Sequence, residues 1–296
     1  MANNITLATK MTTELDKMFV QTAVTGFMVD NAMRAKFVGA HTVLIPEMDM
    51  TGLGDYSKTT GFPDGSVNVS HKSYTLTQDR GRSFMLDAQD EDESGVANLA
   101  GQVLGEFVRT KVVPEVDAYC MAKLYGIARE KARFVEVPEG KTVATAAFQM
   151  VRELIAKVRN VAGYDEKIVA ILAPSMYDAL MATPEIARSV RIDEFKKGEI
   201  TTQVKTIDDV AIIPAPSSRM YRDIEVTETG YTGTGDIGAL VLPKKAAMLV
   251  RKTEKIRTFN PDQNQKADAY KFDYRLYYDL LVKKSMEDSI YAAYLG

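Results

Sequence analysis

A short alternating run that passes directly into one long helical pattern constrains this chain more than any other feature. Residues 74–87 read Tyr-Thr-Leu-Thr-Gln-Asp-Arg-Gly-Arg-Ser-Phe-Met-Leu-Asp, which is strand chemistry, and acids follow from Asp90 to Glu93. Beyond them apolar residues fall at Val96, Leu99, Ala100, Val103, Leu104, Phe107 and Val108, the spacing of one buried helix face. Ser94 stands where an N-cap is expected, and the preceding acids suit the positive end of a helix. Pro114 lacks an amide donor and is expected to end or kink the helix near Val113. The pattern then resumes through Val116, Tyr119, Cys120, Leu124 and Ile127. A two-sided β arm therefore feeds one long bent helix, which is a beam and not a catalytic pocket.

Ahead of the beam, Thr12 or Thr13 is placed to cap a helix running to about Asn31. A strand follows from Phe37 to Pro46, with the proline as its stop. Turn chemistry fills residues 47–66, including Phe62-Pro-Asp-Gly65, after which Val67, Val69, Tyr74 and Leu76 read as a half-buried strand. A free-standing two-stranded arm is marginal in water. It is expected to lie on something else, such as another subunit.

After the beam, apolar helical spacing (Phe148 to Val158) alternates with buried strands at Lys167–Ala173 and Asp209–Pro214, and Pro174 opens a short helix. These make an α/β subdomain between about Thr142 and Met220. The last quarter reads as a Thr/Gly-rich loop from Thr227 to Gly235, strands at 238–242, 247–250 and 255–259, and a long aromatic strand from Ala269 to Tyr278.

Candidate chemistry fails its context at each place. Gly233-Thr-Gly-Asp-Ile-Gly238 has the letters of a dinucleotide loop, but Ala-Leu-Val-Leu-Pro243 follows and reads as a strand, where the mechanism needs a helix. The acids from Asp87 to Glu93 lack the ligand alternation and central glycine of a calcium loop. Lys244–Lys245, Arg251–Lys252 and Lys283–Lys284 read as solvated surface pairs. His41 and His71 are the only histidines, too few for most metal or triad sites, and neither a metal nor a cofactor is expected. Cys120, the single cysteine, sits on an apolar helix face and reads as a small core residue. With 37 basic and 40 acidic residues the net charge is −3, so the basic excess of a nucleic-acid binder is missing. No apolar run approaches membrane-spanning length and no signal-peptide pattern opens the chain.

In order along nearly the whole chain, several stretches resemble the major capsid proteins of tailed bacteriophages, which have the Hong Kong phage capsid fold, also used by encapsulins. They are Thr42-Val-Leu-Ile-Pro46 before Gly52-Leu-Gly-Asp-Tyr56, Tyr74 to Phe84, and Asp87 with Asp92-Glu-Ser94 ahead of the long helix. Val116-Asp-Ala118, Val169 to Tyr177, Val210 to Pro216, and Ala246 to Phe259 followed by Asp268 to Tyr278 continue the series. The resemblance implies an α+β fold with an N-terminal arm over 1–33 and a first peripheral part over 34–141. That part would hold an extended loop at about 42–86 and a spine helix at about 94–129. An axial domain would span 142–227 and a second peripheral part 228–296. It further implies a non-enzymatic shell protein forming hexamers and pentamers around packaged DNA, built in the bacterial cytoplasm with scaffolding, portal and decoration proteins as partners. Within the loop, Asp55, Tyr56, Asp79, Arg80 and Arg82 are the expected polar contacts between subunits, and Val43, Ile45, Tyr74 and Leu76 the apolar underside. Other readings are an encapsulin-like compartment, a nucleotide-dependent enzyme using Gly233 to Gly238, and a tail-tube or decoration protein, against which the long helix speaks.

Overall fold

The computed structural model describes residues 2–29, 36–38, 42–59, 61–87, 96–184, 186, 190–197, 200–253, 256–259, 263–264 and 266–294. The N-terminal part contains α1 (Ala2–Thr22), a 3₁₀ turn (Val24–Met28), β1 (Lys36–Val38), β2 (Thr42–Met50), β3 (Val67–Thr75) and β4 (Gln78–Asp87). A helical rod follows: α2 (Val96–Phe107), a π turn (Val108–Val112) and α3 (Val113–Glu130). Next come β5 (Phe134–Val135), α4 (Val143–Ala162), β6 (Ile168–Leu172), α5 (Pro174–Met181), β7 (Arg191–Lys197), β8 (Ile200–Ile207) and β9 (Val210–Pro214). The chain closes with β10 (Tyr221–Thr227), β11 (Gly230–Pro243), β12 (Ala247–Thr253), β13 (Arg257–Phe259), β14 (Ala269–Val282) and β15 (Tyr291–Tyr294).

The continuous apolar runs arise because the central sheet is covered on both faces. Its order is β5-β15-β11-β6-β9-β8-β7, with β10 paired to β11 outside that path. Alternate residues of β6 serve two cores. Ile168, Ala170 and Leu172 pack with α4 residues such as Leu154 and Val158, while Val169 and Ile171 join the rod residues Val116, Cys120 and Leu124. β9 divides likewise, Val210 and Ile212 to one side and Ala211 and Ile213 to the other. The period of two thus makes the sheet a wall between two cores. A second sheet, β12-β14-β13 with β4 on the other side of β14, carries the arm formed by β1, β2 and β3. In β14, Phe272, Tyr274, Leu276, Tyr278 and Leu280 join the rod's core, while Tyr277 and Leu281 meet the base of the arm.

Several sequence expectations change. The first helix spans Ala2–Thr22, so Thr12 and Thr13 lie inside it and not at its N-cap, and the chain tightens to a 3₁₀ turn after Ala23. Pro114 does not end the rod. The π turn just before it moves the hydrogen-bond register, the Val113 amide bonding back to the Val108 carbonyl, so the missing donor falls where the ladder is already changing step. Pro46 does not stop β2, which pairs with β3 as far as Met50 opposite Val67. Among the described residues β1 pairs with β2 from Val38 opposite Thr42 to Lys36 opposite Leu44, so no described strand pairs with that side of β2 at Pro46, an edge position that proline tolerates. Residues 227–235 are no loop but the turn and first half of a hairpin, β10–β11. Ser94 and Asp90 to Glu93 lie outside the described residues, as does His41.

Candidate functional site

The arm is one hairpin with two different halves. β2 and β3 pair Val43 with Tyr74, Ile45 with Lys72, Met48 with Val69 and Met50 with Val67, and residues in register project to the same face. Near the base the apolar side is the Val43, Ile45 and Tyr74 face, which packs with Leu76 on Met248, Val250, Tyr277 and Leu281 of the second sheet. Val43 is fully buried there. Farther out, the apolar side is the opposite face, made by Met48, Met50, Val67 and Val69, all exposed. Of the nine residues of β3, all but Tyr74 are exposed, so the half-buried strand expected from alternation is covered only at its base.

The tip, residues 51–66, adds Leu53, Tyr56 and Phe62 to the exposed apolar set, and Phe62 is 86% exposed. Seven of the thirteen exposed large apolar side chains among the described residues lie between Met48 and Val69, which marks the distal arm as the chain's main uncovered surface. The Tyr56 and Phe62 rings lie 5.0 Å apart. Ser57 and Gly61 exchange two backbone hydrogen bonds (3.1 and 2.8 Å) around a turn in which Gly61 takes φ +81°, a left-handed conformation that favours glycine. Asp55 is exposed beside them.

Below the arm, charged groups tie it to the rod. Asp279, 2% exposed, accepts from the Thr77 amide (3.3 Å) and hydroxyl (3.0 Å), the Tyr119 hydroxyl (2.9 Å) and Lys123 Nζ (2.5 Å). Burial by itself lowers the Lys123 pKa, but hydrogen bonding and charge from Asp279 and Tyr119 outweigh it and the net shift is upward. Arg80 binds Glu115 at 2.8 Å and the carbonyls of Thr227 and Gly230 at 2.7 and 3.4 Å, and the Glu115 hydrogen bond raises its pKa. Asp79 pairs with Arg275 at 2.6 Å, and Arg82 donates to the Glu228 carbonyl at 3.2 Å. Within the chain, Asp79, Arg80 and Arg82 thus reach β14, the rod and the β10–β11 turn. All three sit on β4 in the second sheet, beyond the projecting hairpin. Gly81 between the arginines is needed for contact: a Cβ there would stand 2.9 Å from the Tyr274 carbonyl oxygen across the strands.

Two anchors were assigned no role from the sequence, although one of them, Asp117, lies within the Val116-Asp-Ala118 stretch noted above. Asp117, fully buried, accepts from the Val24 and Thr25 amides (3.0 Å each), the Thr25 hydroxyl and Arg219 (2.7 Å), joining the N-terminal segment, the rod and the turn after β9. The signal was an acid on the rod's apolar stripe, four residues after Val113 and four before Met121, as Asp279 was an acid between Tyr278 and Leu280. The expectation of solvated basic pairs also fails at Arg251, whose side chain is 9% exposed, pairs with Asp16 at 2.9 Å and lies over Phe19.

A cleft of about 600 Å³ opens between β4, the π turn and the β10–β11 turn. Phe84, Phe107 and Tyr274 line it, the Phe84–Phe107 and Phe107–Tyr274 rings meeting edge to face at 4.8 and 5.7 Å. Arg82 and Lys111 lie at its exposed margin. Gly233 to Gly238 lie inside β11, with no helix after them, so the phosphate-cradle geometry is not formed. Among the described residues no group of three or more His, Cys, Asp or Glu side chains is placed to hold a metal, and no helix is long and apolar enough to cross a membrane. Cys120 is buried in the core, and burial pushes its pKa well up.

No family model matches the chain, and neither does any curated protein. Solved structures do. The capsid of cyanophage P-SCSP1u is similar at TM-score 0.58 and 11% identity, over 88% of this chain and 84% of that one. The mature capsid of bacteriophage PhiM1 gives TM-score 0.54 and 14% identity over 86% and 82%. The SrpI encapsulin of Synechococcus elongatus gives 0.53 and 11% over 88% and 83%. At these identities the likeness establishes the fold: this chain has the Hong Kong phage capsid fold, the fold of phage capsid proteins that an encapsulin shares.

Proposed function

We propose that this chain is the major capsid protein of a tailed bacteriophage, self-assembling into hexamers and pentamers that close an icosahedral shell around double-stranded DNA. One observation carries the reading beyond the fold: the distal arm turns Met48, Met50, Val67 and Val69 to solvent on one face. An uncovered apolar face of that kind calls for a partner, and an identical copy supplies one at every position of a shell. Burying one such side chain contributes roughly 1–2 kcal/mol. Weak contacts repeated around a closed lattice hold together through avidity. The net charge of −3 suits a wall that encloses DNA without sequence-specific grip. Scaffolding, portal and decoration proteins are the further partners of this reading, the virion head is its location, the bacterial cytoplasm its place of assembly, and catalysis has no part in it.

The likeness to an encapsulin favours a second reading, a shell of the same fold that holds protein cargo. Negative-stain microscopy and sedimentation of the purified chain test both. Rings of five or six, or closed polyhedra, are expected, and a monomer or dimer under all conditions would sink self-assembly. What fills shells recovered from the native source, DNA or a protein, separates the two.

A further inference from the structure

Beside the π turn, an aromatic floor and a basic mouth meet in one cleft. We propose that this cleft binds a small aromatic anion, one or two rings carrying a carboxylate, sulfonate or phosphate at one end. The site lies within a single chain and does not depend on the shell reading.

The walls come from distant parts of the sequence. β4 supplies Phe84, the π turn supplies Thr110, Lys111 and Val112, and the β10–β11 turn supplies Glu228, Thr229 and Gly230. Three of the five residues of the π turn thus line the cleft. A π turn interrupts the regular ladder of a helix, and such interruptions recur at functional sites. The opposite wall is fastened, because Arg80 ties the carbonyls of Thr227 and Gly230 to Glu115 on the rod. A cleft shaped before its ligand arrives lowers the ordering cost of binding.

Floor and mouth differ in chemistry. Tyr274 is buried, while Phe84 and Phe107 are only half-buried, so two rings keep surface to offer a ligand. A further ring can extend their edge-to-face series. The volume of about 600 Å³ falls within the range of roughly 300–1,000 Å³ usual for small-molecule sites. At the mouth Arg82 and Lys111 are exposed, and among the described residues neither pairs with a carboxylate. With Glu115 held by Arg80, Glu228 is the one acid of the lining left to oppose them, so the mouth is net positive. Rings alone would take a neutral hydrocarbon, and cations alone an inorganic anion. Together they select an aromatic body with an anionic end.

The probe is 8-anilinonaphthalene-1-sulfonate, titrated by its fluorescence into the full chain. The reference chain carries Met48→Ser with Val69→Ser, which removes competing apolar surface on the arm. Saturable binding to this reference is expected. Adding Arg82→Glu with Lys111→Glu, both at exposed positions, is expected to leave melting unchanged and to weaken the binding about tenfold or more. Adding Arg191→Glu with Lys196→Glu instead, on β7 and outside the cleft, makes the same change in net charge and is expected to keep the affinity within about twofold. The uncharged N-phenyl-1-naphthylamine, which lacks the sulfonate, is expected to bind the reference and the Arg82→Glu, Lys111→Glu chain alike, since it reads the floor alone. Absence of saturable sulfonate binding to the reference overturns the site. So does an undiminished affinity after reversal at the mouth, or an equal loss after reversal on β7. Shell yield decides none of these outcomes, so the site and the shell reading stand or fall separately.

Discussion

The two halves of the arm differ in what their apolar residues are for. At the base, Val43 and Leu76 are buried on the chain's own sheet, and Asp279 gathers Thr77, Tyr119 and Lys123 into one network. In the distal half, five to seven residues beyond Val43 and Tyr74 along the same strands, the apolar side has changed faces and Met48, Met50, Val67 and Val69 are uncovered. The base is a folding unit and the distal half a surface in waiting. A strand changes its allegiance by moving its apolar residues from odd to even positions, with no change in backbone.

Substitutions can break this contrast, and the largest effect is expected at the base. Asp279→Ala leaves Lys123 and the Thr77 and Tyr119 hydroxyls without their shared acceptor and is expected to cost about 3–5 kcal/mol in denaturant unfolding of the isolated chain. Leu76→Ala opens a cavity under the arm and is expected to cost about 2 kcal/mol, the low end for such truncations because the site lies near the surface. A loss below 0.5 kcal/mol for either would erase the distinction between base and distal half.

Alkaline pH probes the rod beneath the base. Burial raises the folded pKa of Cys120 and of Tyr278 above their ordinary values of 9.0 and 10.0. Above those values the unfolded chain gives up protons that the folded chain keeps. Their contribution to stability is therefore complete below about pH 9 and falls as pH rises, by up to about 1.4 kcal/mol per pH unit for each group. Lys197, whose pKa burial lowers, acts in the opposite sense, its charge being easier to lose in the folded chain. Melting curves between pH 8 and about pH 11 check the net sign, with a fall expected. The smallest effect on the isolated chain is expected at the distal face: Met48→Ser with Val69→Ser should move its stability by no more than about 0.5 kcal/mol. The same pair should reduce the shell yield seen by sedimentation, which is where the contrast sharpens.

The wall strands β6 and β9 were legible because double burial writes itself as unbroken apolar runs, and the rod because its stripe survives Pro114. What failed was mostly punctuation. Pro46 and Gly233 to Gly238 look like stops, yet an open strand edge tolerates the proline, and Gly235 at φ +68° falls just before a register shift in β11. The partners of Arg80 and Arg82 could not be read from their neighbours, since Glu115 and the Thr227 to Gly230 turn are 35 to 150 residues away. Asp279, and Asp117 within the Val116-Asp-Ala118 stretch, were visible as acids out of place in apolar company, a sign that a charge is satisfied at long range without saying by what. The switch of faces along the arm was written in the alternation of 43, 45, 48 and 50, but it needed the register with β3 to become a surface.

Pro46 has a consequence for the chain before any partner arrives. Past Leu44 no described strand pairs with the outer side of β2, and an edge of that kind puts a newly made population of arms at risk of zipping edge to edge into fibres. A proline in the middle of that edge cannot donate to an incoming strand, so the ladder has a missing rung. The arm can thus keep its faces adhesive while its margin resists strand addition, which on the proposed shell reading disfavours endless ribbons.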